Sequence, residues 1–250
     1  MSDSHEALVL LGGAGGVGGE IVRTYARTHP EAPVWITYAT DAESAEALCA
    51  DVPQATAIQC DVTDTDSLAA LAQAIGHAGH RVDSIVHGAV AAVRTTLVGA
   101  ADDLLRAVDV SAVSLVRAVT AVDDLLVDGA SIVYLTSKGS TRVVPKYGLV
   151  GVGKAAAESI VRYLAFELGP RGIRVNALGF GPMDTKAFTV MVGPNITSDK
   201  VVAAAAKNSP LQPPADMASV ADAVVFLLGD GARGMTAQVL DVDGGLLLKM

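Results

Sequence analysis

Residues 7–19 read ALVLLGGAGGVGG, a short apolar run that passes directly into a glycine-rich turn. Gly12, Gly16 and Gly18 give the pattern Gly-x3-Gly-x-Gly, and a stretch with helical periodicity, Gly18–Thr28, follows. Between a strand and a helix, such glycines let backbone N–H groups and a helix N-terminus approach a pyrophosphate. The glycine pattern alone is a weak signal. Its place at the first strand–helix junction favours a nucleotide-binding turn over a merely flexible one.

Short aliphatic or β-branched runs recur along the chain and predict seven strands. They are Ala7–Leu11, Val34–Tyr38, Thr56–Cys60, Ser84–His87, Ser131–Thr136, Ile173–Ala177 and Val239–Val242. Stretches with 3.6-residue periodicity lie between most of them and predict helices. These are Gly18–Thr28, Ala42–Ala50, Ser67–Ile75, Leu104–Leu126, Val150–Leu168 and Val220–Leu228. Because the strands are apolar throughout, both faces of the sheet are covered, and right-handed crossovers then give an α/β fold with a Rossmann-type, doubly wound, seven-stranded parallel sheet.

The chain shows no linker, repeat or low-complexity segment, so we expect a single domain over residues 1–250. One segment, 179–218, is irregular and rich in Pro, Gly and Met. A long loop after a late strand is usually a substrate lid or wall. This segment also carries apolar side chains that suit an acyl chain: Phe188, Val190, Met191, Val192 and Leu211. The competing interpretation is an ordinary helical excursion packed permanently on the sheet.

Composition excludes several classes of function. The formal net charge is −9 and no basic run occurs, which argues against nucleic acid because phosphate neutralisation needs clustered Lys and Arg. Charges or histidines interrupt every apolar stretch before the roughly 18 residues that a membrane span needs, and the short polar N-terminus lacks the basic start of a signal peptide. Cys49 and Cys60 have no metal-ligand spacing around them. We therefore expect a cytoplasmic protein with no membrane, nucleic-acid or metal partner.

The most informative stretch reads LTSKGSTRVVPKY over residues 135–147 and leads to Lys154 on a long predicted helix. Tyr147 and Lys154 are seven residues apart, so both project from one helix face with about 10 Å between them along the axis. A nearby ammonium favours the phenolate form of tyrosine, which suits proton donation to a developing oxyanion. The alternative is a surface tyrosine and a solvated lysine. The position of the pair after the fifth strand, at the sheet edge where such folds bind ligands, favours the functional interpretation.

Two aspartates near strand ends bear on nucleotide binding. Asp61 closes the third predicted strand and can accept from an adenine amino group, or it can cap the following helix or turn. A carboxylate after the second strand would hold a ribose 2′-hydroxyl, whereas an arginine would accept a 2′-phosphate. Asp41 comes somewhat late for the first role, and Gly15 stands where a basic residue would help the second. These residues leave both the role of Asp41 and the choice between NADH and NADPH open.

Several motifs together resemble the short-chain dehydrogenase/reductase superfamily over essentially the full length of the chain. They are the glycine turn, Asp61-Val62, the set of Ser137, Tyr147 and Lys154, IRVNA at 173–177 and VDGG at 242–245. Most members carry Tyr-x3-Lys, but the residue four before Lys154 is Val150, and Tyr147 gives Tyr-x6-Lys instead. That spacing is typical of the enoyl-acyl-carrier-protein reductase branch, which IVHG at 85–88 and VRYLA at 161–165 also resemble.

Two features differ from that branch, and a third, Ser111, differs from ordinary short-chain enzymes. The glycine turn is of the ordinary short-chain type, similar to the subset that uses NADPH. Ser137 stands where many enoyl reductases have a second tyrosine, and it lies 17 residues before Lys154, as the catalytic serine of ordinary short-chain enzymes does. Ser111 stands near the position of their helix asparagine. This mixture supports reduction of a thioester C=C bond and leaves the substrate open.

The resemblance implies reduction of a 2-enoyl thioester, carried by acyl carrier protein, in fatty-acid or polyketide-type biosynthesis. Either NADPH or NADH would be the cofactor, with NADPH slightly favoured. Tyr147 would hydrogen-bond the enolate oxygen, Ser137 would be a second donor, and Lys154 would hold the nicotinamide ribose. The implied cofactor-binding residues are Gly12, Gly16, Val17, Gly18, Thr40, Asp61, Val62, Gly88, Lys154, Pro182 and Thr185. Pro182 and Thr185 can instead form a turn and a helix cap.

The resemblance also implies a symmetric homotetramer built through the predicted helices Leu104–Leu126 and Val150–Leu168, whose outer faces carry few charges. A carbonyl reductase of the same superfamily is the alternative activity, favoured by Ser137 and the glycine turn but opposed by Val150. A non-catalytic nucleotide-binding module is the third interpretation. His87 is interpreted as a packing residue at a strand end, with no part in chemistry.

Overall fold

The computed structural model describes residues 6–194 and 196–249 as one parallel sheet covered by helices on both faces. The strands are β1 (Glu6–Leu11), β2 (Val34–Tyr38), β3 (Ala55–Gln59), β4 (Arg81–His87), β5 (Leu126–Ser137), β6 (Arg174–Phe180) and β7 (Val239–Val242). The α-helices are α1 (Gly16–Thr28), α2 (Ala42–Asp51), α3 (Thr65–His77), α4 (Ala101–Val108), α5 (Ser114–Val122), α6 (Gly148–Leu168), α7 (Lys186–Val192), α8 (Ser198–Asn208) and α9 (Met217–Leu228).

The strand order is β3-β2-β1-β4-β5-β6-β7, and every pairing is parallel. Leu8 and Leu10 of β1 belong to a buried cluster on one face, with Ile21 of α1 and Val224 of α9. The alternate residues of β1 belong to a second cluster on the other face. Both faces of the central strands are therefore buried, as their uninterrupted apolar runs predict.

The strand order places a crevice at the carboxyl ends of β1 and β4. The chain leaves β1 toward β2 and β3 on one side, and the later strands add on the other side, beginning with β4. Gly88, just beyond β4, donates from its backbone N–H to the Leu11 carbonyl at 2.8 Å. In doubly wound sheets, ligands bind at such a switch point.

The predicted helix Leu104–Leu126 is wrong as a single element. The structure has α4, a π-type turn over Asp109–Val113, α5, and one 3-10 turn before β5 begins at Leu126. Within the π-type turn, the carbonyl of Val110 accepts from the Ser114 hydroxyl at 2.6 Å. The apolar periodicity continues through the extra residue of the π-type turn, so the pattern does not reveal that turn. Leu126 fits the same helical pattern although it begins a strand.

The segment 179–218 begins inside β6 and ends inside α9, and between them it contains α7 and α8. It is therefore more helical than its composition suggests, as in the competing interpretation. Among the helices of the described residues, none is long and apolar enough to cross a membrane.

Helix α6 lies against the turn that follows β5, and a glycine makes this contact possible. A Cβ built on Gly151 would lie 2.5 Å from the carbonyl oxygen of Gly139, closer than real Cβ contacts. Gly169 just beyond the helix has nothing within 4 Å of its corresponding position. The absence of a side chain at Gly151 thus sets the distance between α6 and the end of β5.

We expect Gly151→Ala to lower the free energy of unfolding by about 1–3 kcal/mol, because the new methyl group forces the helix away from the turn. Gly169→Ala is the matched control and should change it by less than about 0.5 kcal/mol. Urea denaturation of both variants measures the difference. Equal stabilities would show that α6 can move without cost.

Candidate active site

Ser137 and Tyr147 meet at the carboxyl edge of the sheet. Ser137 is the last residue of β5, and Tyr147 is the N-cap residue of α6, one position before the helix begins. Their hydroxyl oxygens lie 3.1 Å apart, and either can be the donor. The ring of Tyr147 lies against Gly139, where a Cβ would overlap it. Strand and helix thus bring together two hydroxyl groups that are ten residues apart in sequence.

Burial raises the pKa of Tyr147 above that of a free phenol, and the hydrogen bond with Ser137 offsets the rise only in part. Lys154 was expected to lower this pKa, but the two causes that determine it are burial, through desolvation of the phenolate, and the hydrogen bond with Ser137. Tyr147 therefore keeps its proton at neutral pH. It can donate a hydrogen bond to an oxygen on which negative charge develops.

Lys154 lies two turns along α6 and is 5% exposed. Its Nζ donates to the carbonyl oxygen of Leu135 at 2.6 Å and lies 4.6 Å from the centre of the Tyr134 ring. Burial lowers the pKa of Lys154 to about 7, although Glu158 acts in the opposite direction. The solvated lysine of the alternative interpretation is thus wrong: this side chain is held beneath the site.

Tyr134 and His87 form the floor under this lysine. The Tyr134 hydroxyl donates to the Ser111 carbonyl at 2.6 Å, and its ring stacks on the His87 ring with 5.4 Å between centroids. His87 is fully buried, and its Nε2 lies 2.7 Å from the Ser114 hydroxyl. Burial lowers the pKa of His87 to about 3, with a smaller contribution from Lys154, so the ring is neutral at pH 7. This environment agrees with a packing residue.

The glycine turn has the backbone shape that a pyrophosphate site requires. Gly12 and Gly16 have φ values of +75° and +55°, and the Gly12 N–H donates to the Thr37 hydroxyl at 3.0 Å. Gly15 is the N-cap residue of α1 and has no side chain to accept from the first helical N–H groups. Those donors and the positive end of a 13-residue helix are left for an anion. The residues present therefore fit the phosphates of a dinucleotide.

Thr185 faces this turn from the opposite side. A Cβ on Gly16 would lie 2.7 Å from the Thr185 methyl carbon, so the two residues are in close contact. Thr185 is the N-cap residue of α7 and accepts from the Phe188 N–H at 3.1 Å, which is the helix-cap alternative for this residue. Pro182 is half-buried, three positions earlier. Thr185 thus lies beside the glycine turn, and the cofactor contacts of Pro182 and Thr185 stay predictions.

Asp61 forms a turn rather than a helix cap. Its Oδ1 accepts from the backbone N–H and the hydroxyl of Thr63, at 2.9 and 2.7 Å, which lowers the pKa of Asp61. The N-cap of α3 is Asp64, which accepts from the N–H groups of Asp66 and Ser67. Val62 between the two aspartates is buried. These bonds fix the Asp61 carboxylate at the end of β3 and leave an adenine contact as a prediction.

Asp41 is the N-cap residue of helix α2, which is one of the two roles that the sequence left open for it. Its carboxylate accepts from the Ser44 N–H and also from Nζ of Lys186, at 3.2 and 2.7 Å. Lys186 begins α7, so this ion pair connects the segment after β6 to the end of β2. The preceding residue, Thr40, is exposed. The ion pair therefore connects the starts of α2 and α7, which lie next to Gly15 and Gly16 of the glycine turn.

A family model described as enoyl-(acyl carrier protein) reductase matches residues 12–247. The chain is 33% identical over 222 residues to enoyl-[acyl-carrier-protein] reductase [NADH] 1 of Rhizobium meliloti (strain 1021), covering 86% of this chain and 80% of that one. It is 32% identical over 250 residues to 1-cyclohexenylcarbonyl-CoA reductase of Streptomyces collinus, covering 98% and 88%. The chain belongs to the enoyl-acyl-carrier-protein reductase family. It is therefore a nicotinamide-dependent oxidoreductase, and both the predicted family and the predicted fold are confirmed.

A solved structure supports the same assignment. The Bacillus cereus enoyl-acyl-carrier-protein reductase, solved with NADP+ and indole naphthyridinone, superimposes with a TM-score of 0.87 at 28% identity. The match covers 97% of this chain and 96% of that one. The Rhizobium relative is named for NADH, and the slight preference for NADPH in the sequence interpretation gains no support from that name.

In this member of the enoyl reductase family, apolar side chains of the segment 179–218 are accessible. Val190 and Leu211 are more than half exposed, whereas Phe188, Met191 and Val192 are partly covered. Within the segment, the Ser198 hydroxyl donates to Asp184, and the Ser209 hydroxyl connects the segment to the chain beyond it by donating to the Gly244 carbonyl. Both a substrate-wall role and a mobile-lid role for the segment stay predictions.

An open depression of about 560 Å³ lies beside this segment, at the carboxyl end of β7. Leu211, Pro213 and Pro214 line one side of it, and Asp241 lies on the other. Asp241 also accepts from Nζ of Lys138, the residue after Ser137. Through this contact the depression is linked to the end of β5, although none of its lining residues belongs to the Ser137–Tyr147 pair.

Sequence reasoning missed three residues of this family member that the structure brings to the site: Tyr134, Glu158 and Lys186. Tyr134 lies in an apolar strand and reads as core. Glu158 follows Lys154 by four residues on α6, a spacing that could have revealed it. Lys186 meets Asp41 across 145 residues of sequence, and no local pattern signals that contact.

Proposed function

We propose that this protein reduces the C=C bond of a 2-enoyl thioester whose acyl group is carried by acyl carrier protein. The observation that carries the proposal is the contact between Tyr147 and Ser137, with Tyr147 seven residues before a buried Lys154. Two hydroxyl donors converge there on one point at the carboxyl edge of the sheet. This arrangement suits an acyl oxygen that becomes negative during reduction, as in fatty-acid or polyketide-type biosynthesis.

The nicotinamide, when bound, supplies the hydride that adds to the β-carbon of the substrate. Addition at that carbon moves negative charge to the thioester carbonyl oxygen, which is then stabilised by a hydrogen-bond donor. Tyr147 is protonated because burial raises its pKa, so its O–H can stabilise that oxygen and then transfer a proton. Ser137 holds the phenol in place and offers a second O–H. Lys154 uses one of its donors on Leu135, and its others remain for the ribose hydroxyls.

Carbonyl reduction is the second candidate, and one residue disfavours it. The position that holds tyrosine in Tyr-x3-Lys enzymes is Val150, which is 1% exposed and has no proton to give. Tyr147 approaches from the N-cap of α6 instead, three residues earlier. The Ser137–Tyr147 contact also speaks against a non-catalytic module, because a mere nucleotide-binding fold needs no such pair.

The purified protein should oxidise NADH in the presence of a crotonyl-type thioester and leave a β-keto thioester essentially unreduced. Tyr147→Phe removes one hydroxyl with little change of volume, so the variant should fold while turnover falls by roughly 10²-fold or more. Loss of reduced-nicotinamide absorbance measures both reactions.

Tyr163→Phe, an exposed tyrosine on α6, is the matched control and should keep wild-type turnover. Faster reduction of the β-keto thioester would favour the carbonyl reductase. Cofactor binding without turnover of either substrate would favour the non-catalytic module.

We propose NADH as the cofactor. A ribose 2′-hydroxyl can donate to the Asp41 carboxylate, whereas a 2′-phosphate would meet a like charge. Lys186 is already paired with that carboxylate, and Gly15 offers no charge on the other side. The name of the Rhizobium relative, which prints NADH, supports the same choice.

The ratio of kcat/KM with NADH to kcat/KM with NADPH should exceed about tenfold, since placing like charges together costs several kcal/mol. Asp41→Asn should reduce this ratio by raising NADPH use and weakening NADH. Asp51→Asn, at the other end of α2, is the control and should leave the ratio unchanged. A wild-type preference for NADPH would contradict the assignment.

We also propose a homotetramer in the cytoplasm. Large apolar side chains are exposed on α4 and α6, among them Leu105 (70%), Tyr163 (68%) and Phe166 (84%). Exposed apolar patches of this kind usually mark interfaces. The unpaired Cys49 and Cys60 suit a reducing compartment.

Light scattering at micromolar concentration should therefore give a mass near four times that of one 25.4 kDa chain. Phe166→Glu with Leu105→Glu should lower that mass, because charges in an apolar interface cost desolvation free energy. A wild-type mass of one chain would reject the assembly.

A further inference from the structure

Lys154 and Glu158 share a property that the described part of the chain shows nowhere else. Among the Lys, Arg, Asp and Glu residues that the structure describes, only these two are buried, with exposed fractions of 5% and 7%. Both lie on α6, four residues and therefore about one helical turn apart. Buried charges in proteins are paired, because an isolated one costs far more than a hydrogen bond returns. The proposed reaction gives Lys154 a role but assigns none to Glu158.

Adjacent residues of β5 hold the two side chains. Lys154 donates to the carbonyl of Leu135 at 2.6 Å, and Glu158 accepts from the hydroxyl of Thr136 at 2.5 Å. The next residue along the strand is Ser137. The pair therefore connects the helix that follows Tyr147 to the strand that ends in Ser137, directly beneath their contact.

Glu158 is the negative charge in this environment. His87 on β4 is neutral because its pKa is about 3, and Tyr134 on β5 and Tyr147 before α6 have raised pKa values, so both keep their protons. Ser111, from the π-type turn, is buried and uncharged. None of these groups can balance an ammonium at pH 7.

We propose that Glu158 is a positioning residue: its buried carboxylate, held on β5 by Thr136, favours the ammonium form of Lys154 beside it. This inference rests on the proposed function in one respect: the charge matters because Lys154 binds the cofactor ribose. Its direction follows from the local electrostatics. Burial lowers the pKa of Lys154 to about 7, and Glu158 raises it, so removal of the carboxylate lowers that pKa further and leaves Lys154 neutral at physiological pH.

The test measures the ionisation of Lys154 directly, in protein without cofactor or substrate. NMR of ¹⁵N-lysine-labelled protein follows the Nζ signal against pH, with Lys154→Arg identifying the resonance. In Glu158→Gln, the amide oxygen can still accept from Thr136 but the charge is gone. We expect the pKa of Lys154 to fall by about one unit or more.

Two variants serve as controls. Glu167→Gln makes the same change at an exposed position of α6 and should leave the pKa of Lys154 unchanged. Glu158→Asp retains the charge and should restore most of the wild-type value. If Glu158→Gln does not fold, Thr136→Val gives the same readout: it removes the hydrogen bond that holds the carboxylate, and the pKa of Lys154 should fall.

A functional readout accompanies the titration. Above pH 7, NADH should bind about tenfold more weakly to Glu158→Gln than to the wild type. This difference in Kd should become smaller as the pH falls below the pKa that Lys154 has in the variant. An unchanged Lys154 pKa in Glu158→Gln would overturn the role of Glu158, whatever the enzyme reduces. A lowered pKa in a protein that does not reduce enoyl thioesters would uphold this role and reject the proposed reaction.

Discussion

The site depends on one buried ammonium. Nζ of Lys154 lies in the narrow space between α6 and β5, where it donates to the Leu135 carbonyl and lies over the Tyr134 ring. Desolvation makes this position expensive, and the surrounding groups reduce the cost with one carbonyl, one aromatic face and one carboxylate. Because the lysine is fixed to the strand, the helix that carries it is fixed as well. The distance between Tyr147 and Ser137 follows from that attachment.

The parallel sheet places the attached lysine beside the other parts of the site. Parallel strands place the ends of β1, β4 and β5 at one edge, so the glycine turn, Gly88 and Ser137 lie along the same crevice. Small residues let the elements approach closely, as at Gly151 against Gly139. The low aromatic content of 4% and the 25 glycines are therefore consequences of close packing between helices and sheet.

Much of this could be predicted from the sequence. Val34–Tyr38 and Val239–Val242 match their strands residue for residue, because short runs rich in β-branched and aliphatic residues favour strands. The predicted helix Leu104–Leu126 failed because periodicity does not reveal an inserted residue. The predicted lowering of the Tyr147 pKa was also wrong. The spacing placed Lys154 on the correct face of the helix, but it could not show that the ammonium points to the Leu135 carbonyl. Nor could it show that burial determines the pKa of the phenol. Contacts such as Lys186 with Asp41 depend on the tertiary fold and leave no local pattern.

The π-type turn at Asp109–Val113 makes the floor of the site sensitive to chain length. Such a turn contains one residue more than a regular α-helix of the same rise. Its Ser111 carbonyl accepts the Tyr134 hydroxyl, and Tyr134 in turn lies beneath Lys154. Deletion of a single residue here would convert the turn into regular α-helix, and the Ser111 carbonyl would no longer be presented to the Tyr134 hydroxyl in the same way. A relative whose sequence is one residue shorter between α4 and α5 should therefore hold the tyrosine beneath its buried lysine by a different contact.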